Sequence, residues 1–438
     1  MADHAHSDDP AVQKQLDRLT ILSPGRDVLG LERITELCKR LDNPQRNLPP
    51  VLHVAGTNGK GSVCAFLRAA IEAAGLKAHV YTSPHLVRFN ERIRLAGKLI
   101  SDAQLAAVLA EVLDISEDVN PSFFEVTTAA AFLAFSRYPA DACVIEVGLG
   151  GRLDATNVIE RPLVAGIAHL GVDHESFLGN DIAVIASEKA GIAKRGRPLV
   201  TQQYEEELGE AIAKTALANG AEWIARGRDW KGAAYRGELH YHDAEQKLRL
   251  PLPRLAGAHQ ADNALLAIAM LSHQRELAIP ESALRAAMGW ADWPARLQRL
   301  DRGPLVSLLP EGTQLWVDGG HNPLAADVIA RHFAEAPNLH LVMGMLANKD
   351  PDGFLARFAG NTQSATFVPT EGHECHSPED LAAVARKYGI TAFTAHDVPS
   401  ALADWNYANA SSPPATIAVV GSLYLAGEVL RFNESFPE

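Results

Sequence analysis

One stretch constrains the fold more than any other: Val51-Leu-His-Val-Ala-Gly-Thr-Asn-Gly-Lys-Gly-Ser-Val-Cys-Ala-Phe66. Val51 to Ala55 is a short apolar run of the kind a buried strand uses. Gly56 to Ser62 turns the chain, and Val63 to Ala74 carries apolar residues at helical spacing with Gly75 as a stop. Strand, glycine-rich loop and helix make a phosphate cradle. Glycines let backbone N–H groups approach an anion, the helix N-terminus adds partial positive charge, and Lys60 supplies a full one. The bland alternative is a tight turn with a solvated lysine, which several glycines followed by a helix disfavour. The common P-loop pattern would put glycine at Val54 and Ser or Thr at Gly61, whereas Ser62 arrives one residue late. The residue after the lysine usually holds Mg²⁺, so magnesium ligands are expected elsewhere in this chain.

Further strand ends supply them. His79 to Thr82 reads as a short strand leading into Ser83-Pro84. Ser83 stands where ligands bind in parallel α/β sheets, although taken alone it reads first as a turn serine. Asp141 to Gly148 is a buried strand with Glu146 near its carboxyl end. A carboxylate there suits a Walker-B-like role, holding Mg²⁺ directly or through water; the alternative is a solvent-facing acid. Gly148, Gly150 and Gly151 open a second tight, polar loop running to Asn157. Leu163 to Ala168 is another strand, ending in His169, Asp173 and His174. Helix 182–190 and strand 198–201 continue an alternation that argues a doubly wound, mainly parallel sheet.

Residues 222–252 are more polar and β-like, and are expected as a small antiparallel insertion. An alanine- and leucine-rich helix follows, to Leu271, and then a proline-marked joint at Trp293 to Gln298. The rest restarts the α/β rhythm, with strands at 314–317, 339–343, 365–368, 392–395 and 416–420. The expected fold class is α/β with two domains. Residues 1–297 would form a P-loop NTPase-like, doubly wound, mostly parallel sheet, and residues 298–438 a smaller Rossmann-like α/β domain.

Length and composition exclude some classes. At 438 residues the chain is too long for one ordinary core. A formal charge of −13, with no block of Lys and Arg, argues against nucleic acid as a partner. Four dispersed cysteines without a C-x-x-C pair suit a reducing cytoplasm. The polar, acidic stretch from Met1 to Pro10 is no signal peptide and is expected as a disordered tail. No apolar run is long enough to span a membrane.

Several segments, in order, resemble the Mur ligase superfamily, and within it the dihydrofolate synthase/folylpolyglutamate synthase family. They are Leu29-Gly-Leu-Glu-Arg33, Gly56-Thr-Asn-Gly-Lys-Gly-Ser62, Ser83-Pro-His-Leu86, Phe123-Phe-Glu125, Glu146 to Asn157, Asp173-His174, Ser187-Glu-Lys-Ala-Gly-Ile192, His259-Gln-Ala-Asp-Asn263, Asp318-Gly-Gly-His-Asn-Pro323 and Gly421-Ser422. The resemblance implies an ATP-dependent ligase adding L-glutamate to dihydropteroate and to tetrahydrofolates through an acyl phosphate. It places Thr57, Asn58, Gly59, Lys60, Gly61 and Ser62 on the phosphates. Asn263, Arg296, Asp318 and His321 become further ATP contacts. Ser83 and Glu146 would hold one Mg²⁺, and His174, Glu146 and a carboxylated Lys189 a second; a monovalent cation is an additional possibility. A carbamate needs a neutral, hence buried, lysine; the alternative is an exposed helix lysine paired with a glutamate. On the pterin side the matching residues are Val28, Leu29, Gly30, Ser122, Phe123, Phe124, Glu125, Leu153, Asp154 and Ala155. Phe123 and Phe124 suit stacking on a flat heterocycle, or plain core, and Asp154 suits the ring N–H groups. The resemblance also implies a monomer.

There are departures from the family pattern. Val28 stands where some bifunctional members carry Asp, Ala295 replaces the usual glycine before Arg296, and Gly320 replaces an alanine. His373, Cys375 and His376 lack an evident fourth ligand and read as a polar surface loop. Two rivals differ testably. A cell-wall precursor ligase would need a UDP-sugar domain ahead of the loop, for which too few residues precede Gly56. A P-loop nucleotide switch would carry Ser or Thr directly after Lys60.

Overall fold

The computed structural model describes residues 5–22, 29–173, 175–336, 338–409 and 414–437, the side chains of Glu175 and Ser176 excepted. Val28 and His174 lie outside the described residues. The chain divides into two compact units. Of the described residues, the first comprises those up to 254 and 260–292, and the second Leu255–His259 with Trp293–Pro437. Apart from Leu255–His259, the second unit runs on from Trp293, whereas the expected joint is at 297/298. Its local bonds explain why: Leu297 N–H donates to Asp318 Oδ2 at 2.7 Å, and Gly319 N–H donates to Ala295 O at 3.0 Å.

The first unit is built on an eight-stranded sheet of β1 (Val51–Ala55), β2 (Ala78–Tyr81), β3 (Ile93–Leu95), β4 (Lys98–Leu99), β5 (Ala142–Glu146), β6 (Val164–Ile167), β7 (Pro198–Thr201) and β8 (Glu222–Ala225). Their order is β4-β3-β2-β5-β1-β6-β7-β8. The six strands from β2 to β8 are parallel, and β3 and β4 add an antiparallel hairpin at one edge. β1, β2, β5 and β6 are buried at every position, as a sheet covered on both faces requires. On one face Cys143 and Ile145 pack with helices Pro10–Leu22, Asp102–Asp114 and Phe123–Arg137, and Ala165 and Ile167 pack with Ile182–Ala190. On the other, Gly166 lies against Met270 of helix His259–His273, where a Cβ would collide with the thioether.

Local chemistry explains several boundaries. Ser122 Oγ accepts the Glu125 N–H and Glu125 Oε2 accepts the Ser122 N–H, a reciprocal cap. The helix Phe123–Arg137 therefore begins directly after Ser122. Asp9 Oδ1 caps the first helix through the amides of Ala11 and Val12, at 2.9 and 3.0 Å, and Ala5 packs against the core. Residues 5–10, expected as a tail, belong to the fold. Residues 222–252 also differ from expectation. Glu222–Ala225 joins the main sheet parallel to β7, and only β9 (Lys231–Tyr235), β10 (Glu238–His242) and β11 (Lys247–Pro251) form an antiparallel insertion.

The second unit holds a six-stranded sheet of β12 (Gln298–Leu300), β13 (Gln314–Val317), β14 (Leu339–Met343), β15 (Thr362–Phe367), β16 (Thr391–Thr394) and β17 (Thr416–Val420), ordered β12-β13-β17-β14-β15-β16. All but β12 run parallel. Its core includes Leu341, Met343, Phe354, Phe358, Phe367 and Leu381.

Cys38, Cys64 and Cys143 are buried, whereas Cys375 is half-buried. Burial pushes the Cys38 thiol up to about 12 and raises Cys64 and Cys143 as well. No described helix is long and apolar enough to cross a membrane.

Candidate active site

The carboxyl ends of the central parallel strands deliver the chemistry-bearing residues: Gly56–Ser62 after β1, Ser83 after β2, Glu146 closing β5 and His169–Asp173 after β6. This is where ligands sit on open α/β sheets.

The loop after β1 is held by close backbone approach. Gly56, at φ +149°, lies against Ala168, and a Cβ there would come 2.9 Å from the Ala168 methyl. Gly59, at φ +86°, is backed by the Asn263 side-chain oxygen, which a Cβ would strike. The Thr57 and Asn58 amides both donate to His169 O, at 2.8 and 3.2 Å. Thr57 Oγ1 donates to Gly171 O at 2.8 Å. Two of the amides expected on the phosphates therefore fasten the loop to the segment after β6. The helix itself starts at Lys60, with Gly59 preceding it and no side chain capping it. Helix starts leave N–H groups without intrahelical partners, and here those are the amides around Gly59, Lys60, Gly61 and Ser62.

Two lysines converge on one carbonyl. Lys60 Nζ donates to Gly56 O at 3.2 Å and to Thr57 O at 3.3 Å. Lys189 Nζ donates to the same Gly56 O at 3.1 Å. Lys189 is 4% exposed, on the last turn of helix Ile182–Ala190. Burial, reinforced by the Lys60 charge, pulls its pKa down to about 7 against the attraction of Asp173 and Asp154. Glu146 is buried and its Oε2 accepts the Ser83 N–H at 3.2 Å. Asn263 is buried and donates through Nδ2 to Gln260 Oε1 at 3.0 Å. Among the described residues no three His, Cys, Asp or Glu side chains come together as a metal site. The expected ligand set differs in kind, since it also uses a serine hydroxyl and a lysine, and its histidine is His174.

The structure also gathers the segments expected on the pterin side. Arg33 Nε donates to Glu125 Oε2 at 2.9 Å, tying the Leu29–Gly30 segment to the Ser122–Glu125 cap. The Phe124 ring packs so closely on Gly148 that a Cβ there would enter the ring, and it lies 6.0 Å from the Tyr81 ring. Phe123 is buried, edge-on to Phe89, with the Arg92 guanidinium 5.5 Å over its ring. Of the two rings, Phe124 is the half-buried one. Leu153 is half-buried, and Ala155 and Asp154 are buried. Asp154 is committed to its own loop: Oδ2 accepts the Leu149 N–H at 2.8 Å and Oδ1 the Thr156 N–H at 2.9 Å. Burial raises its pKa against those bonds.

In the second unit, Asp318 follows β13 and accepts the Leu297 and Gly320 amides, both at 2.7 Å. Arg296 Nη1 donates to Ala295 O at 2.9 Å, and His321 Nδ1 lies 2.9 Å from Gly319 O. Ala295 adopts φ +55°, a left-handed conformation that a side chain resists. That is a physical reason for the family's glycine at this position. His373 stacks on Tyr424 at 3.8 Å, and His376 Nε2 lies 3.1 Å from Lys349 O.

Some participants escaped the sequence reading. Arg33 stood in a quoted motif without a role, and His53 and Thr156 had none. Their partners lie 92 and 103 residues away in sequence, and only a fold can pair them.

Comparison with known proteins agrees with this architecture. Residues 54–271 match the Mur ligase middle domain, and residues 305–432 the dihydrofolate synthetase C-terminal domain. The dihydrofolate synthase/folylpolyglutamate synthase of Escherichia coli K12 is 35% identical over 81% of this chain and 80% of its own. Escherichia coli FolC in complex with DHPP and ADP superposes with a TM-score of 0.86 at 31% identity, covering 98% of each chain. A bifunctional folylpolyglutamate synthase/dihydrofolate synthase with Mn, AMPPNP and L-glutamate bound gives 0.83 at 32% identity, covering 96% of this chain and 97% of that one. The chain belongs to the dihydrofolate synthase/folylpolyglutamate synthase family of Mur ligases.

Proposed function

We propose that this protein is an ATP-dependent ligase that joins L-glutamate to dihydropteroate and to the glutamate tail of tetrahydrofolates. The observation that carries the reading is the phosphate loop itself: Lys60 and the buried, pKa-lowered Lys189 meet at Gly56 O, with Ser83 and Glu146 at the ends of β2 and β5. The ADP, AMPPNP, Mn and L-glutamate named with the family's solved structures support the same substrates and a divalent cation here.

The substrate carboxylate attacks the γ-phosphorus of ATP, the bond to ADP breaks, and an acyl phosphate results. The amine of L-glutamate then attacks the acyl carbon, the amide forms and phosphate leaves. The protein's part is positioning and charge neutralisation. Lys60 and the amides of Gly59–Ser62 hold the β- and γ-phosphates, and Asn263 backs the nucleotide. For Arg296, Asp318 and His321 we retain the nucleotide-binding role that the family match implies. Ser83, Glu146, Lys189 and His174 would hold Mg²⁺, which when bound neutralises the transferring phosphoryl group. A lysine near neutrality has the uncharged fraction that takes up CO₂ as a carbamate, releasing a proton, and so gains two oxygens to offer a metal. Leu29, Gly30, Phe124, Leu153 and Ala155 face the pterin, and Arg33–Glu125 fixes one wall.

The test is ADP release with Mg-ATP and L-glutamate, adding dihydropteroate in one arm and tetrahydrofolate in the other, with products identified by mass. Turnover in both arms is expected. Turnover in one arm alone narrows the enzyme to that activity. Turnover in neither overturns the assignment in favour of a Mur-type ligase with another carboxylate substrate.

A further inference from the structure

A buried chain of polar groups joins β1 to the 148–157 loop, and phosphate binding has no use for it. His53 is the one polar side chain in β1 and is fully buried. Its Nε2 lies 2.8 Å from Thr156 Oγ1. Thr156 Oγ1 lies 2.5 Å from Asp154 Oδ1, which also accepts the Thr156 amide. Asp154 Oδ2 accepts the Leu149 amide at 2.8 Å. A carboxylate only accepts, so the threonine hydroxyl donates to Asp154 and must accept from His53. His53 is therefore the neutral tautomer with its proton on Nε2. Burial and the Lys194 charge favour that neutral form. Its Nδ1 is buried with no partner among the described residues, a cost that an apolar residue in β1 would avoid.

We propose that His53 and Thr156 are positioning residues for the pterin-bearing substrate: through Asp154 they set the backbone of the 148–157 loop, which presents Leu153 and Ala155. This rests on the pterin reading of that loop. The effect is one-sided. The 56–62 loop takes its own support from His169, Gly171 and Asn263, and none of those contacts passes through His53.

Thr156→Val keeps the shape, removes the hydroxyl and leaves the His53 N–H without its acceptor; Thr156→Ser restores it. The KM for dihydropteroate is expected to rise about tenfold in Thr156→Val, the scale of one buried hydrogen bond lost. The KM for ATP and for L-glutamate stays within about twofold, and Thr156→Ser returns all three. His53→Leu, which suits a buried strand and covers the case in which Thr156→Val does not fold, gives the same one-sided change. Amide hydrogen exchange at Leu149, measured without substrate, quickens in Thr156→Val and His53→Leu. Equal rises in all three KM values, or a pterin KM unmoved while Leu149 exchange quickens, would overturn the proposal. Wild-type enzyme that turns over neither pterin substrate overturns the functional reading instead. In that case unchanged Leu149 exchange still overturns the polar chain's hold on the loop.

Discussion

The loops that follow β1 and β5 leave paired strands at the same end of one sheet, yet they lean on different supports. Gly56–Ser62 is fastened mainly through its main chain, with two amides on His169 O, a glycine against Ala168 and a glycine against Asn263, helped by the Thr57 hydroxyl on Gly171. Gly148–Asn157 leans more on side chains, beside the Arg152 N–H on Glu188 O and the close approach of Gly151 to the Lys189 turn. Asp154 gathers the Leu149 and Thr156 amides, and Asn157 Nδ2 donates to Arg152 O and Gly191 O at 2.9 and 3.2 Å. On the proposed reading, the difference follows from what each would present. A loop that offers N–H groups to an anion cannot have them capped by its own side chains, so glycine and close packing must shape it. A loop that offers a surface to a flat organic ring is free to use its amides internally.

Substitutions can break this contrast. Lys60→Ala should have the largest effect, a fall of about 10²–10³ in the kcat for ADP release with the melting temperature unchanged; a fall under about tenfold would mean that Lys60 does not meet the transferring phosphoryl group. Gly151→Ala comes next. Its Cβ would lie 2.6 Å from Glu188 O and 2.9 Å from Lys189 Cα, so urea unfolding should show a loss of about 2–3 kcal/mol. Gly196→Ala, at φ +67° but in open space, should lose only about 1 kcal/mol. Gly151 lies outside the left-handed region, so a loss no larger than that of Gly196→Ala would show that the Lys189 turn gives way to the added methyl.

Acid should weaken the side-chain-held loop through His53. Burial and Lys194 pull its pKa from the ordinary 6.5 to about 3. The unfolded chain takes up a proton near 6.5 that the folded protein refuses until about 3. Stability from this group is therefore fully present above 6.5 and is lost as pH falls through that window, by at most about 1.4 kcal/mol per pH unit. His53→Leu should show a flatter acid limb in urea midpoints, and an identical limb would remove His53 from the linkage. The smallest effect belongs to Arg152→Ala. The Arg152–Glu188 pair, at 2.8 Å, is more than half exposed on the arginine side, so its removal should cost no more than about 0.5 kcal/mol by the same unfolding measurement. A larger loss would move the loop's support from its buried network to its surface.

What could be read in advance follows the same divide. The phosphate loop and strands 51–55, 198–201, 314–317, 339–343 and 416–420 are visible in sequence, because apolar runs and glycines are local signals. Helix Ile182–Ala190 is equally plain, with Asp181 as its cap. Helix Glu206–Ala218 is not, since only Ile212 and Ala216 are buried and the apolar stripe is faint. The residues named for the candidate site came from motifs, but their supports did not. His53–Thr156 and Arg33–Glu125 are pairings between distant segments, and no local pattern distinguishes a buried histidine with a partner from an ordinary strand residue.

The burial of three cysteines also has a use at the bench. Only a thiolate attacks a maleimide or a disulfide reagent, and Cys38, Cys64 and Cys143 are both enclosed and held in the thiol form. Cys375, half-buried on the segment between β15 and helix Pro378–Lys387, is the least enclosed of the four cysteines. The native chain therefore comes with one built-in attachment point for a fluorophore, and a spectroscopic label can be placed at Cys375 without first stripping the other cysteines from the fold.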